Sequence, residues 1–527
     1  MKERISAAVH TCLILLLLLQ LPALLAQQPR RMNILFAIAD DQSYPHASAY
    51  GQKVFQTPVF DSVAAAGVLF TNAFVAAPQC SPSRAAILTG RNIWQLEEAG
   101  THSSLFPKKF TVFTDQLEQS GYHIGYTGKG WEPGNYQIAG WTRNPVGPEY
   151  SKRLLQTTPA SGISKNDYAA NFRDFLDEKK NDQPFFFWFG AWEPHRDYEP
   201  GSGLASGLSA KDLVVPPFLP DNGVVRGDLL DYALEVGWFD AQLGKMLQLL
   251  KERGELANTM VVITADNGMP FPYAKANLSE YGIHVPLAIC GPTVKDKGRV
   301  EKNLVSLIDL APSFLEMAAV PLFPGITGKS IVPLLQHKQS SGLFRTEVLT
   351  GRERHSHARP DNLGYPARAI RTQQYLYIEN LKPDRWPMGD PPQPLSKDIS
   401  TVRKAPDGYE DMDPGPTKSW MIESKDLIPE LFIRAFAKRK AEELYDISKD
   451  PYCLHDLSDD KAYQSQKEKL KEQLRKELRS QGDPRMTGSG DIFDSYPRFG
   501  GMRPLPGFRE RGKYNPAYMP GGKISNQ

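Results

Sequence analysis

Three short strings in this chain place oxygen and nitrogen donors where they can act together on an anion. Asp40-Asp41 closes the apolar run Asn33–Ala39, and Asp266-Asn267 closes the apolar run Thr259–Ala265. His195, in E-P-H-R, follows a third run, Pro184–Trp192. Runs of this length and apolarity read as buried strands. In a parallel sheet, ligands gather beyond the carboxyl ends of the strands, so these groups are aimed at one crevice. Asp40, Asp41, Asp266 and the Asn267 amide oxygen make a hard, oxygen-only donor set, which suits Ca²⁺ or Mg²⁺ rather than zinc. Carboxylates held that close repel one another unless a cation joins them. Taken singly, either acidic pair reads as the cap of a following helix; its meaning comes from the convergence.

A fourth string is more specific. Cys80 to Arg91 reads C-S-P-S-R-A-A-I-L-T-G-R. Pro82 suits the first turn of a helix, and the apolar residues after it continue that helix. Cys80 then sits at the helix N-terminus, where free N–H groups favour an anion. Arg84, one turn on, adds a fixed charge and a fork of donors.

C-S-P-S-R followed by L-T-G-R resembles the type I, formylglycine-dependent sulfatases. The similarity extends to the D-D after the first strand, G-K at 128–129, D-N-G at 266–268 and E-L-Y-D-I-S-K-D-P from residue 443. The resemblance implies that a separate maturation enzyme oxidises Cys80 to formylglycine. It implies one Ca²⁺ held by Asp40, Asp41, Asp266 and Asn267 beside position 80, so that Cys80 counts with the metal set. It implies that Arg84, Lys129 and Lys275 surround a sulfate with positive charge, while His195 protonates the departing sugar oxygen or nitrogen. One hydroxyl of the hydrated aldehyde attacks sulfur and the second lets the sulfated intermediate collapse. Within the family, D-N-G-M-P-F-P-Y-A-K-A-N-L and E-P-H-R are most similar to the heparan N-sulfatase (N-sulfoglucosamine sulfohydrolase) branch, although that branch carries arginine where this chain has Lys275. A second departure is Trp131, which stands where many family members have a histidine two residues past the G-K lysine; an indole only donates, so the role of that base is unassigned. His102, in the loop after the Cys80 helix, reads as a surface histidine, with standing in for that base as the alternative. Arg352-Glu353-Arg354-His355, with His357, reads as a lining of the sugar subsite or as a solvated loop.

The elements that position these residues alternate. Besides the three runs above, Thr57-Pro58 opens a helix to about Ala66, with Thr57 as cap. Thr114–Ser120 reads as a helix and His123–Thr127 as a strand. Asp228 to Arg253 reads as a long helix with Leu229, Ala233, Val236, Leu243, Leu247 and Leu250 on its inner face. Asp240 interrupts that face and is expected to be a satisfied, buried hydrogen-bonding group. Apolar strands separated by helices give an α/β fold, a large and mostly parallel sheet between helices; the resemblance implies that it is alkaline-phosphatase-like. Ala367–Ile378 alternates as one half-exposed antiparallel strand would. Leu470, Leu474 and Leu478 form one apolar stripe on a Lys/Glu-rich helix. These predict a smaller C-terminal antiparallel-sheet-plus-helix subdomain at 366–482, after a catalytic domain at 27–365. Residues 483–527 read as a Gly/Pro-rich tail that wraps the surface or is partly disordered.

The start of the chain reads as an address. Lys2 and Arg4 precede the apolar run Cys12–Leu19, and Ala26 offers a small residue for cleavage, so residues 1–26 are expected to be a secretory signal. No later stretch is apolar enough to span a bilayer. The mature protein is therefore expected to be exported, periplasmic or secreted, with no stable membrane insertion after cleavage. Of 527 residues, 62 are Lys or Arg and 60 Asp or Glu, a net charge of +2 that offers no bulk field for nucleic acid. With Cys12 in the signal, Cys80, Cys290 and Cys453 remain, an odd set without paired spacing and so no disulfide framework. The expected partner is a sulfated glycan, with an N-sulfated glucosamine end favoured. An O-sulfatase, a phosphate-ester hydrolase of the same superfold and a non-catalytic glycan-binding relative are the alternatives.

Overall fold

The computed structural model describes residues 31–180, 182–338, 343–359, 363–392 and 408–499. The expected signal at 1–26 lies outside the described residues, as does the tail beyond 499. Among the described residues no helix is long and apolar enough to cross a membrane.

The larger sheet has eight strands: β1 (Asn33–Ala39), β2 (Val68–Phe74), β3 (His123–Gly128), β4 (Phe185–Gly190), β5 (Thr259–Ala265), β6 (His284–Cys290), β7 (Arg299–Glu301) and β8 (Val305–Ser306). Their order is β3-β4-β1-β5-β6-β2-β7, with β8 paired to β2. Neighbours from β3 to β5 are all parallel, and β6 alone runs against its neighbours. The interior strands are apolar on both faces: every residue of β1, β4 and β5 is buried. Each large side chain withdrawn from water in this way contributes roughly 1.5–3 kcal/mol. The alkaline-phosphatase-like, mostly parallel α/β sheet expected from the sequence is the fold that forms.

Register makes the strand ends level. Gly128 on β3 pairs with Gly190 on β4, Ile38 on β1 also pairs with Gly190, and Ala39 pairs with Ala265 on β5. Glycine is required at the first of these positions: Gly128 has φ +76°, and a Cβ there would lie 2.1 Å from the Gly190 carbonyl oxygen. Pairing continues past the strands through Asp40 N–H to Glu193 O (3.0 Å), Asp266 N–H to Ala39 O (3.1 Å) and Lys129 N–H to Gly190 O (2.7 Å). Four successive loops therefore leave one edge at the same height.

The helix Pro58–Ala66 forms as expected, but Thr57 does not cap it. The Thr57 hydroxyl is engaged with Ser48, and the free N–H groups of Val59 and Phe60 donate instead to the Asp240 carboxylate, at 2.9 and 2.8 Å. Asp240 is thus the buried, satisfied polar group that its place on an apolar face suggested. Its own helix spans Gly223–Glu252, beginning earlier than expected because Asn222 caps it through Val224 N–H and Val225 N–H. Leu229, Ala233, Val236, Leu243 and Leu250 are buried there, whereas Leu247 is only partly covered.

The same helix carries Glu235, which is buried with neither carboxyl oxygen hydrogen-bonded among the described residues. Burial, reinforced by the charge of Glu193, pushes its carboxyl up to about 9. The folded state thus holds this proton more tightly than the unfolded chain, whose value is 4.5. The associated stability is full below that value and is lost as pH rises through about 9. Glu235→Gln, which is neutral and of the same shape, is expected to raise Tm at pH 9 by roughly 2 °C or more and to leave it nearly unchanged at pH 5. Calorimetric curves that stay parallel across that range would refute this.

A second sheet is antiparallel, in the order β12-β11-β10-β9, from β9 (Glu347–Arg352), β10 (Ala367–Thr372), β11 (Tyr375–Asn380) and β12 (Glu442–Asp446). The stretch expected as one strand, 367–378, is a hairpin. Its turn is closed by Thr372, whose hydroxyl accepts from Tyr375 N–H at 3.0 Å. The first strand of this sheet, 347–352, precedes residue 366. The helix Gln464–Ser480 lays Leu470, Leu474 and Leu478 against the sheet. From 483 the chain packs along the second sheet, through Asp483 with Arg368, Arg485 with Glu353 and Asp494 with Arg385, and reaches Ser103 at Phe499.

Candidate active site

The level strand ends bring the sequence-selected residues together. Asp40 and Asp41 follow β1, Lys129 follows β3, His195 stands in the loop after β4, and Asp266 and Asn267 follow β5. The helix Cys80–Thr89 points its N-terminus at the same place, so Cys80 lies in its first turn and Arg84 one turn on. Ligand atoms of Asp40, Asp41, Cys80 and Asp266 all lie within 4.8 Å of one another. The Cys80 Sγ is 3.7 Å from Asp41 Oδ1.

Cations interleave with these carboxylates. Arg84 Nε donates to Asp266 Oδ2 at 2.7 Å, and its Nη1 donates to the Lys129 and Gly130 carbonyls. Lys129 Nζ is 2.5 Å from Asp40 Oδ2, and Lys275 Nζ is 2.6 Å from Asp41 Oδ2. His195 donates from Nδ1 to the Arg196 carbonyl at 2.6 Å, because a carbonyl oxygen can only accept. That bond turns Nε2 inward, to 3.9 Å from Asp41 Oδ2.

Burial opposes ionisation of Asp40, but Lys129, His195, Arg84 and Lys275 outweigh it and hold the carboxyl well below its usual range. Asp266 goes the other way. Burial and the neighbouring Asp40 charge push it up to about 7. The Cys80 thiol is also raised well above its usual value, first by burial and then by Asp40. The helix terminus therefore does not create a reactive thiolate here.

The residues at this cluster fit a hard cation. Asp40 Oδ1 and Asn267 Oδ1 are buried oxygens with no hydrogen-bond partner among the described residues, an expensive state unless something positive meets them. Asn267 Nδ2 donates to Asp41 Oδ1 at 2.6 Å and to the Gly268 carbonyl at 3.0 Å, which fixes the amide beside the cluster. The donors available are oxygens, as calcium prefers.

In front of the cluster lies a cavity of about 300 Å³, lined by Cys80, His102, Lys129, Trp192, His195 and Lys275, and also by Glu132, His355, Asp413 and Arg498. Its volume is at the small end for ligand pockets. Several of these residues carried no signal in the sequence. Asp413 lies in a Pro/Gly loop with no strand ahead of it. Arg498 comes from the tail, held by Phe499 N–H to Ser103 O (2.6 Å) and by Arg354 donating to the Tyr496 and Pro497 carbonyls. Trp192, at 37% exposure, was legible in principle, since it leaves β4 just ahead of E-P-H-R.

Other expectations shift. Trp131 does not line the cavity. It is fully buried behind the Cys80 helix, donating from Nε1 to the Ser81 carbonyl at 3.0 Å and packing edge-on against Phe106. His102 does reach the cavity, with Nδ1 3.0 Å from the His355 carbonyl; burial lowers its pKa well below the usual value, so it is neutral. Of the polar run at 352–357, only His355 and Ser356 line the cavity. Arg352 pairs with Asp411, Glu353 with Arg368 and Arg485, and these ion pairs are buried. Cys80, Cys290 and Cys453 are all free thiols.

The family model described as sulfatase matches residues 32–320, and a second, described as N-sulphoglucosamine sulphohydrolase, C-terminal, matches residues 272–403. The chain is 29% identical over 511 residues to the N-sulphoglucosamine sulphohydrolase of Homo sapiens, covering 89% of this chain and 93% of that protein. Among solved structures it is similar to one described in complex with its substrate D-glucosamine-2-N,6-O-disulfate, with TM-score 0.61, 17% identity, and 86% and 99% of the two chains covered. It is also similar to the phosphonate monoester hydrolase of Agrobacterium radiobacter, with TM-score 0.60, 16% identity, and 87% and 97% covered.

Proposed function

Because the chain belongs to the sulfatase family and is a sulfuric ester hydrolase, we propose that it removes the N-sulfate from a terminal glucosamine of a heparan-type glycan. The observation that carries this reading is the juxtaposition at one cavity of Cys80, the Asp40–Asp41–Asp266–Asn267 cluster and the cations Arg84, Lys129 and Lys275. The C-terminal match to N-sulphoglucosamine sulphohydrolase, which runs through Lys275 and His355, favours the N-sulfated substrate.

Asp40, Asp41, Asp266 and Asn267 would hold the calcium ion, which when bound draws charge from sulfate oxygens and from a hydroxyl at position 80. Formylglycine made from Cys80 by a maturation enzyme supplies that hydroxyl as its hydrate. The raised thiol pKa supports this assignment, since an unconverted cysteine here is a protonated, poor nucleophile. Lys129 and Lys275 orient the sulfate with charges already fixed by Asp40 and Asp41, so little reorganisation is needed as charge builds. Arg84 braces the site, tying Asp266 to the loop after β3. His195 presents Nε2 to the leaving atom and moves a proton to it. Trp192 offers an apolar face at the rim for the sugar. The expected N-terminal signal supports export to the periplasm or the medium.

The phosphonate hydrolase likeness is one of fold and leaves the chemistry to the site. An O-sulfate preference is the second reading, favoured by the structural neighbour whose substrate carries both N- and 6-O-sulfate. Sulfate release is to be measured from N-sulfoglucosamine, glucosamine-6-O-sulfate and an aryl sulfate, using enzyme made in a host with the maturation machinery. The highest kcat/KM is expected for N-sulfoglucosamine; a preference for either ester refutes the proposal.

A further inference from the structure

Resting on the N-sulfate reading, we propose that Asp413 selects the sulfamate linkage over the ester, its carboxylate accepting the hydrogen that a bridging N–H carries and a bridging oxygen lacks.

The position of Asp413 is the first support. It lines the same cavity as Cys80, His195 and Lys275. One of its oxygens lies within 4.8 Å of a ring nitrogen of His195 and of a carboxylate oxygen of Asp41. It therefore stands beside the imidazole from which the leaving atom would take its proton, not out at the far end of a sugar. Its Oδ2 is 2.8 Å from Lys275 Nζ, and the side chain is only 14% exposed.

The second support is how firmly it is held. Two residues earlier, Asp411 is clamped by Arg352 and Arg359 and accepts from Ser356 N–H at 2.7 Å. Two residues later, Gly415 packs so tightly on the Arg196 guanidinium that a Cβ would lie 2.5 Å from it. Lys418 ties down the carbonyls of Tyr409 and Met412. A group braced on both sides is suited to read one donor rather than to adapt to many.

The third support is charge. A carboxylate in a pocket for a sulfated sugar repels its ligand unless it receives a hydrogen bond. Asp413 is ion-paired, with Lys275 Nζ 2.8 Å from its Oδ2, and so faces the substrate as an anion. The two linkages then differ in sign. In R–NH–SO3⁻ the bridging N–H donates to it; in R–O–SO3⁻ the bridging oxygen offers only lone pairs. In the overall reaction, R–NH–SO3⁻ + H2O → R–NH3⁺ + SO4²⁻, the S–N bond breaks with its electron pair passing to nitrogen, which gains protons, while sulfur gains a water-derived oxygen. The ammonium product is the partner an anionic Asp413 favours. Ester hydrolysis gives a neutral alcohol and no such gain. Sites built around a substrate N–H reject analogues that lack it far more strongly than shape alone allows.

The experiment measures kcat/KM for N-sulfoglucosamine and glucosamine-6-O-sulfate with wild type and Asp413→Asn. The ratio of N- to O-sulfate hydrolysis is expected to fall at least about tenfold in the variant. A wild type that prefers the N-sulfate, with the same ratio in the variant, overturns the selection alone and leaves Asp413 as a brace for Lys275. A wild type that prefers the O-sulfate overturns the functional reading and the selection with it. A second measurement needs no turnover: glucosamine binding by Cys80→Ala is expected to weaken on adding Asp413→Asn, and equal binding by the two overturns the proposal.

Discussion

Cys80→Ala is expected to lower sulfate release by at least about 10⁴-fold while the protein keeps its fold and its calcium. The methyl group fills the same buried position at the start of the helix; the 3.7 Å contact of the thiol with Asp41 Oδ1 is lost, while all four oxygen donors stay in place. Loss of the nucleophile is thus separated from loss of the metal. In the wild type, peptide mass spectrometry is expected to find the thiol of Cys80 replaced by an aldehyde. Fully active enzyme carrying only the free thiol would defeat the assignment. So would an alanine variant with substantial turnover.

Asp266→Ala is expected to cost both metal and turnover. Asp266 joins the acidic cluster to Arg84, so its removal takes away a ligand and leaves Arg84 Nε without its 2.7 Å partner. Calcium content is expected to fall well below one ion per chain and kcat/KM to fall at least about 100-fold. A pH signature goes with this. Burial and Asp40 push Asp266 up to about 7 in the cation-free protein, so below that pH a calcium ion must displace a proton. Affinity is therefore expected to weaken as pH falls through 7 and to be nearly flat above it. Calorimetry in buffers of different ionisation enthalpy would count the released proton. Normal calcium stoichiometry with full turnover in the alanine variant would refute the ligand set.

The inner part of the site was legible because one rule turns position along a chain into position in space. Residues that leave the carboxyl ends of parallel strands meet, so Asp40, Asp41, Asp266, Asn267 and His195 could be grouped before any coordinates. Residues named by motif, Cys80, Arg84, Lys129 and Lys275, fell into the same cluster. What escaped depends on contacts between distant segments. Nothing near Thr57 in sequence says that Asp240 will supply the cap of its helix. The 367–380 hairpin was hidden because Thr372-Gln373-Gln374 has none of the glycine, proline or asparagine that usually marks a turn. Arg352 and Glu353 looked like a polar loop, and only the folded chain brings Asp411, Arg368 and Arg485 to neutralise them. Asp413 and Arg498 reach the cavity from loops that carry no periodicity to place them.

The late segments also impose an order in time. A ribosome releases residue 80 more than three hundred residues before Asp413 or Arg498 exists. In the finished molecule the Cys80 side chain is 1% exposed, behind walls that those later segments help to build. The nascent chain thus offers its cysteine openly for as long as its own closing pieces are unmade. On the proposed conversion, an enzyme that must touch that sulfur works against the clock of translation, because the folded chain buries Cys80.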